Sequence, residues 1–167
     1  MYFLLNTPQS NNVQSNTTKV KVHLKNGIAE ILNFHSDLLG RVDNNIVEIE
    51  TNFENKIQKS LFVVQNAVFI VSNKGLDKKL EDNTSVYVYA KDAREINSSL
   101  VIDEIVKQYE IKSELLEIEK LKLKELPFES DDKKREKLES PIKARIFKIN
   151  EEAEFFQKVL TISKALK

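Results

Sequence analysis

Proton transfer near neutral pH would have to begin at His23 or His35, the only imidazoles in the 167-residue chain, and there is no cysteine to serve as a thiolate. Asp37 follows His35 closely enough to orient its ring, but Ser36 between them belongs to no nucleophile motif. The two histidines are twelve residues apart, a spacing that matches no metal-ligand pattern. Asp131-Asp132 and Glu151-Glu152 are paired carboxylates, but each pair sits in a heavily charged helical context and reads as solvated surface. Three scattered glycines, Gly27, Gly40 and Gly75, cannot build a phosphate-cradling loop or a dinucleotide turn. No catalytic residue, metal site or cofactor is assigned.

The elements that carry these residues fall into two halves with different periods. Residues 1–96 hold short, β-branched, alternating runs. Val20, Val22 and Leu24 share one face of Lys19–Lys25, with Lys19, Lys21, His23 and Lys25 on the other, so His23 is expected to face solvent. Ile46–Thr51, Ser60–Ser72 (bent or paired at Gln65-Asn66) and Thr84–Ala90 are further strands. Turn-formers separate them at Asn26-Gly27, Asp43-Asn44-Asn45 and Asn73-Lys74-Gly75. This half, residues 1–96, is expected to form an antiparallel β-sandwich or barrel.

Residues 97–167 follow a helical period. Asn97-Ser98-Ser99 reads as a cap, and Ile102, Ile105, Tyr109 and Leu116 keep helical spacing, with Ile111, Leu115 and Ile118 beside them. Pro127 ends this helix, and Phe128–Arg135 reads as a turn or frayed lead-in. In the last segment Leu138, Ile142, Ile146, Ile149, Ala153, Phe156 and Leu160 form a seam close to a heptad pattern. Ser140-Pro141 is expected to be the N-cap and first residue of its main helix. Two such helices predict an antiparallel hairpin.

Composition narrows the function classes. Lys+Arg and Asp+Glu are both 26, and the helical half carries 15 charges of each sign, so nothing favours nucleic acid as a partner. No apolar run reaches the roughly 20 residues needed to span a bilayer, and MYFLL is too short for a signal peptide. The absence of cysteine fits a reducing cytoplasm. The residues themselves imply a sandwich with a helical hairpin and a binding or structural role.

The order of features resembles the epsilon subunit of F-type ATP synthases (delta in mitochondria). Leu4-Leu5-Asn6-Thr7-Pro8 is similar to the family's opening strand, and Val20–Leu24 to its second. The run from Gly27 to Leu39, GIAEILNFHSDLL, resembles its Gly-x-x-Gly-Ile-Leu-Pro-x-His-x-Pro-Leu-Leu segment without a gap. Ile46–Glu50 and Val64–Val71 are similar to later strands, and NTSVYVYAKDAREI follows its Asn-x-Val-x-Val-Leu-Ala-Asp-x-Ala pattern. The chain departs from the pattern at Glu30 (usually glycine), at Asn33 and Asp37 (usually proline), and at Gln65-Asn66-Ala67 in a Gly-Gly region. Asn73–Asp82 resembles a lengthened hairpin, and the helical part is longer than usual. The resemblance is to a divergent member.

The resemblance implies a central-stalk subunit without an active site, turning with the shaft of a rotary ATPase. It implies docking on the gamma subunit and the c-ring, with Gly27, Ile28 and Glu30 nearest the ring. Leu32, His35, Leu38 and Leu39 would shape the docking surface or the core behind it. The hairpin, with its seam Ile142, Ile146, Ile149, Ala153, Phe156 and Leu160, would be the regulatory domain of residues 97–167. Extended into the catalytic alpha and beta subunits it would block ATP hydrolysis; packed permanently, it would be structural. Ile102-Asp103 matches the start of the family's nucleotide motif, but the following Arg-Ala is missing, so ATP binding is expected to be weak or absent. The implied place is the cytoplasmic face of the plasma membrane, within the complex. Three other readings stay open: a specialised F-type-like ATPase without an ordinary proton ring, an unrelated coiled-coil adaptor, and a small enzyme using His35 and Asp37.

Overall fold

The computed structural model describes residues 1–8, 13–73, 84–127 and 131–166. It divides into two compact units, Met1–Leu100 and Val101–Lys167. The first unit is a β-sandwich of ten described strands: β1 (Tyr2–Asn6), β2 (Val13–Asn16), β3 (Lys19–Leu24), β4 (Gly27–Leu32), β5 (Leu38–Val42), β6 (Asn45–Phe53), β7 (Lys56–Gln65), β8 (Ala67–Ser72), β9 (Ser85–Tyr89) and β10 (Asp92–Glu95). One sheet has the order β2-β1-β9-β8-β5 and the other β10-β7-β6-β3-β4. Pairing is antiparallel except between β1 and β9.

Alternation fills the space between the sheets. Phe3, Leu5, Val20, Val22, Ile31 and Phe69 are among its buried side chains, and Phe3 stacks across the two sheets on Phe62 with ring centroids 6.5 Å apart. The near-continuous apolar run of residues 60–72 is two strands that belong to different sheets. Asn66, at φ 46°, is the corner between them, a left-handed position that asparagine tolerates better than most side chains. The chain crosses between the sheets again at Ala90-Lys91, and the two crossings meet where the Lys91 N–H donates to the Gln65 carbonyl at 2.9 Å.

Gly40 lies directly over a core ring. A Cβ there would overlap the side chain of Phe69, its partner across the β5–β8 ladder. The segment from Gly27 to Leu39 is not one loop: β4 and β5 occupy its ends, and only residues 33–37 connect them. The proposed lengthened hairpin at Asn73–Asp82 and the turn at Lys74-Gly75 lie outside the described residues beyond Asn73.

The second unit is an antiparallel helical hairpin, α1 (Ile102–Lys124) and α2 (Asp132–Ala165). Two ion pairs fix its direction. As α1 advances from Lys112 to Glu119, the partners on α2 retreat from Glu152 to Arg145. Two expectations about helix starts are corrected. Asn97-Ser98-Ser99 does not cap α1: the Asn97 carboxamide oxygen accepts from the Ser99 N–H and hydroxyl in a local turn, and Val101 occupies the N-cap without a side-chain bond. Ser140-Pro141 does not start α2, because the Asp131 carboxylate caps it earlier, accepting from the Lys133 and Lys134 N–H groups. Pro141 is inside the helix, and Asp132–Arg135 are helical rather than a lead-in.

Candidate functional site

The site is built at one end of the sandwich, where the edge strand of each sheet is joined to the other. β4 and β5 are the outermost strands of their respective sheets, and residues 33–37 bridge them. Register decides what this rim presents. Ile28, Glu30 and Leu32 pair with His23, Lys21 and Lys19, so they point with those polar residues to the outer face, while Ile31 turns inward and is fully buried. Ile28 and Leu32 therefore stay at least half exposed, and Leu39 on β5 is 70% exposed for the same reason. Leu38 is partly buried against the core and anchors the start of β5.

Phe34 is the most prominent residue of the bridge. Its ring is 79% exposed and its backbone is left-handed, at φ 65°. Such a conformation is unfavourable for an aromatic residue and gains nothing here from burial. A polar brace holds it. The Phe34 N–H donates to the Thr84 hydroxyl oxygen at 2.7 Å, that hydroxyl donates to the Asn73 side-chain oxygen, and the Thr84 N–H donates to the Asn33 side-chain oxygen at 3.3 Å. The Asn73 N–H in turn donates to Asp37 Oδ1 at 2.9 Å. Asn33 and Asp37 are the two positions where the resembling family carries proline. At both positions a side-chain oxygen accepts a hydrogen bond from a distant backbone N–H, which stiffens the bridge.

This brace also answers the catalytic reading of His35. Asp37 is engaged with Asn73, while His35 Nδ1 lies 2.7 Å from the Ser36 carbonyl and its own N–H donates to the Leu32 carbonyl. His35 and Asp37 are thus each engaged with other groups rather than with one another. His23 is on the outer face, with Nε2 2.6 Å from Glu48 Oε1. It belongs to a charge ladder across that sheet. Lys19 pairs with Glu50 at 3.1 Å, and its ammonium, followed by that of Lys59, holds the Glu50 carboxyl below the usual carboxylate range. Glu30 is tied into the same ladder, 3.6 Å from Lys21 and 4.0 Å from Lys19. Gly27, at φ 151° with open space around its Cα, closes the turn into β4.

The same end carries a feature that the residue pattern did not single out. β6 and β7 pair out to Phe53 and Lys56, beyond Glu50, the last β6 residue that β3 reaches. The projecting ribbon closes with Glu54 and Asn55, both left-handed, a turn suited to a two-residue hairpin. Phe53 and Ile57 are 60% and 70% exposed on it. Alternating apolar residues in 45–53 were a signal for the strand, but not for its reach past its neighbours.

In the hairpin, Ile142, Ala153 and Phe156 are buried, Ile146, Ile149 and Leu160 are half-buried, and Leu138 is 45% exposed. A second buried row, Phe155, Val159 and Ser163, flanks that seam, and Phe155 packs on Phe156 with centroids 5.3 Å apart. Ile102 is half-buried, and Asp103 is exposed in the first turn of α1. Among the described residues, no helix is long and apolar enough to cross a membrane.

No protein-family model and no curated protein matches the chain. Solved structures do. A chain of the Euglena gracilis mitochondrial ATP synthase, in a structure of its OSCP/F1/c-ring in rotational state 1, is similar with a TM-score of 0.55 and 16% identity, covering 99% of this chain and 80% of that one. A chain of the Tetrahymena thermophila mitochondrial ATP synthase central stalk and c-ring aligns with a TM-score of 0.42 and 12% identity, over 92% of this chain and 96% of that one. At these identities the first likeness is one of fold.

Proposed function

We propose that the chain is a non-catalytic central-stalk subunit of an F-type rotary ATPase, of the epsilon kind, and that it docks on the gamma subunit through the rim formed by β4, residues 33–37 and β5. The observation that carries this reading is Phe34. An exposed aromatic in a left-handed conformation, braced by Asn33, Asp37, Asn73 and Thr84 and placed two residues after exposed Leu32 at the end of β4, has the character of a contact kept ready for a partner. The order of motifs in the sequence and the likeness of fold to an ATP synthase chain support the same assignment.

In this reading Gly27, Ile28 and Glu30 lie nearest a c-ring, with Glu30 held back by Lys19 and Lys21. Leu32, His35, Leu38 and Leu39 form the docking surface and its footing. The protein has no chemistry of its own, binds no ATP of consequence at Ile102-Asp103, and sits peripherally on the cytoplasmic face of the membrane as part of the complex. The hairpin is its regulatory domain, contacting the catalytic alpha and beta subunits.

Mild affinity purification of the full chain tests the assignment. Recovery of gamma together with catalytic alpha and beta subunits is the expected result. Their absence would favour the second reading, an adaptor that binds through its hairpin, for which the stripe Ile111, Leu115 and Ile118 on α1, each 40–48% exposed, is the specific observation.

A further inference from the structure

The two ends of the hairpin are held by different forces. The end nearest the start of α1 and the end of α2 is closed by apolar packing: Ile105, Ala153, Phe155, Phe156 and Val159 are all buried. Toward the connection between the helices this packing runs out. Ile142 is the last buried apolar residue of α2 in that direction, and Leu138 is substantially exposed. The buried residue of α1 there is an acid, Glu119, 8% exposed. Its Oε2 accepts from Arg145 Nε across the helix pair at 2.9 Å, and its Oε1 from Lys122 Nζ at 2.6 Å. Beyond it the helices are separated by a cleft of about 310 Å³, lined by Leu123, Leu126, Pro127, Arg135, Leu138 and Glu139 among others.

Pro141 falls in this same region. It has no N–H to offer the Lys137 carbonyl, and its ring crowds the preceding turn, so α2 is weakened there. Glu139 splints the weak point: its Oε1 accepts from Arg135 Nε at 2.7 Å and its Oε2 from Lys143 Nζ at 2.6 Å, one partner on each side of Pro141. Arg135, Lys143 and Arg145 are each more than half exposed, so both the splint and the Glu119 bridge are open to screening by salt.

We propose that the hairpin opens in two stages, with Pro141 as the hinge, Glu139 as the splint and the Glu119–Arg145 bridge as the latch. The distal arm, α1 beyond Glu119 and α2 before Pro141, releases as a unit while the apolar end stays closed. Release uncovers Leu123 on α1, Leu126 just after it, and Leu138 and Ile142 on α2. The device does not depend on which partner the sandwich docks on.

Hydrogen exchange on the full chain, compared at about 20 mM and about 500 mM salt, tests it, since screening acts on the exposed bridges and not on the apolar end. Amides of 120–124 and 134–140 should exchange at least about tenfold faster than those of 153–163, and the gap should widen with salt. Glu119→Gln should accelerate the distal amides at low salt and remove most of their salt response. Pro141→Ala, which keeps the helix intact, should slow the distal amides of α2. Equal exchange at the two ends, an unchanged gap at high salt, or equal acceleration of both ends by Glu119→Gln would overturn the proposal.

Discussion

Thr84 holds Phe34 in place across fifty residues of sequence: its hydroxyl oxygen accepts from the Phe34 N–H at 2.7 Å, and the threonine itself is almost fully buried. An exposed aromatic is thus fixed to the sandwich by a buried side chain at the residue just before β9. Thr84→Val should leave the Phe34 N–H and the Asn73 side chain short of a partner and cost about 1–2 kcal/mol. Urea denaturation with the wild-type slope retained would measure it. Exchange of the amides of residues 33–37 should rise in the same variant.

Phe34→Gly separates strain from packing. The ring is exposed and the backbone left-handed, so glycine should leave stability unchanged or raise it by up to about 1 kcal/mol. A loss of more than about 1 kcal/mol in thermal or urea denaturation would show that the ring packs on the fold and is not held out for a partner.

Gly40→Ala should be destabilising by about 1–3 kcal/mol, because the new methyl overlaps the buried Phe69 ring. Phe69→Leu in the same chain should recover part of that loss. A double-mutant cycle with no coupling between the two positions would refute the contact.

These relationships mark where the residue pattern was informative and where it stopped. Alternation placed Val20, Val22 and the 84–90 strand because a strand with one buried face writes its period into the sequence. The run of residues 60–72 showed its bend at Gln65-Asn66, but not that the two halves enter different sheets; that depends on partners distant in the chain. Ser140-Pro141 misled because a good N-cap pair looks the same inside a helix when an earlier Asp131 has already capped it. His35 and Asp37 suggested a dyad at short range, whereas Asn73, far along the chain, takes the carboxylate. Phe34 left no signal at all: left-handed backbone in an aromatic residue is imposed by the brace, not by the residue.

Acid should loosen the hairpin before the sandwich core responds. The Lys122 ammonium, and then the Arg145 guanidinium, hold Glu119 below its ordinary value of 4.5. Lys143 and Arg135 do the same for Glu139. A carboxyl whose folded value is depressed contributes stability that is present above the unfolded value and lost as pH falls through the folded one. Helicity followed by circular dichroism should therefore hold steady above pH 4.5 and weaken below it, and Glu119→Gln should flatten that decline. A decline that begins well above pH 4.5 would point to other groups.

The central claim is that the rim around Phe34 docks on gamma. Binding of the purified full chain to purified gamma from the same source, measured for wild type and Phe34→Gly side by side, tests it most directly. The account predicts a stoichiometric complex with wild type and at least about tenfold weaker binding by the variant, equivalent to about 1.4 kcal/mol, with its thermal midpoint no lower. No complex with wild type, or equal affinity of the two proteins, would contradict it.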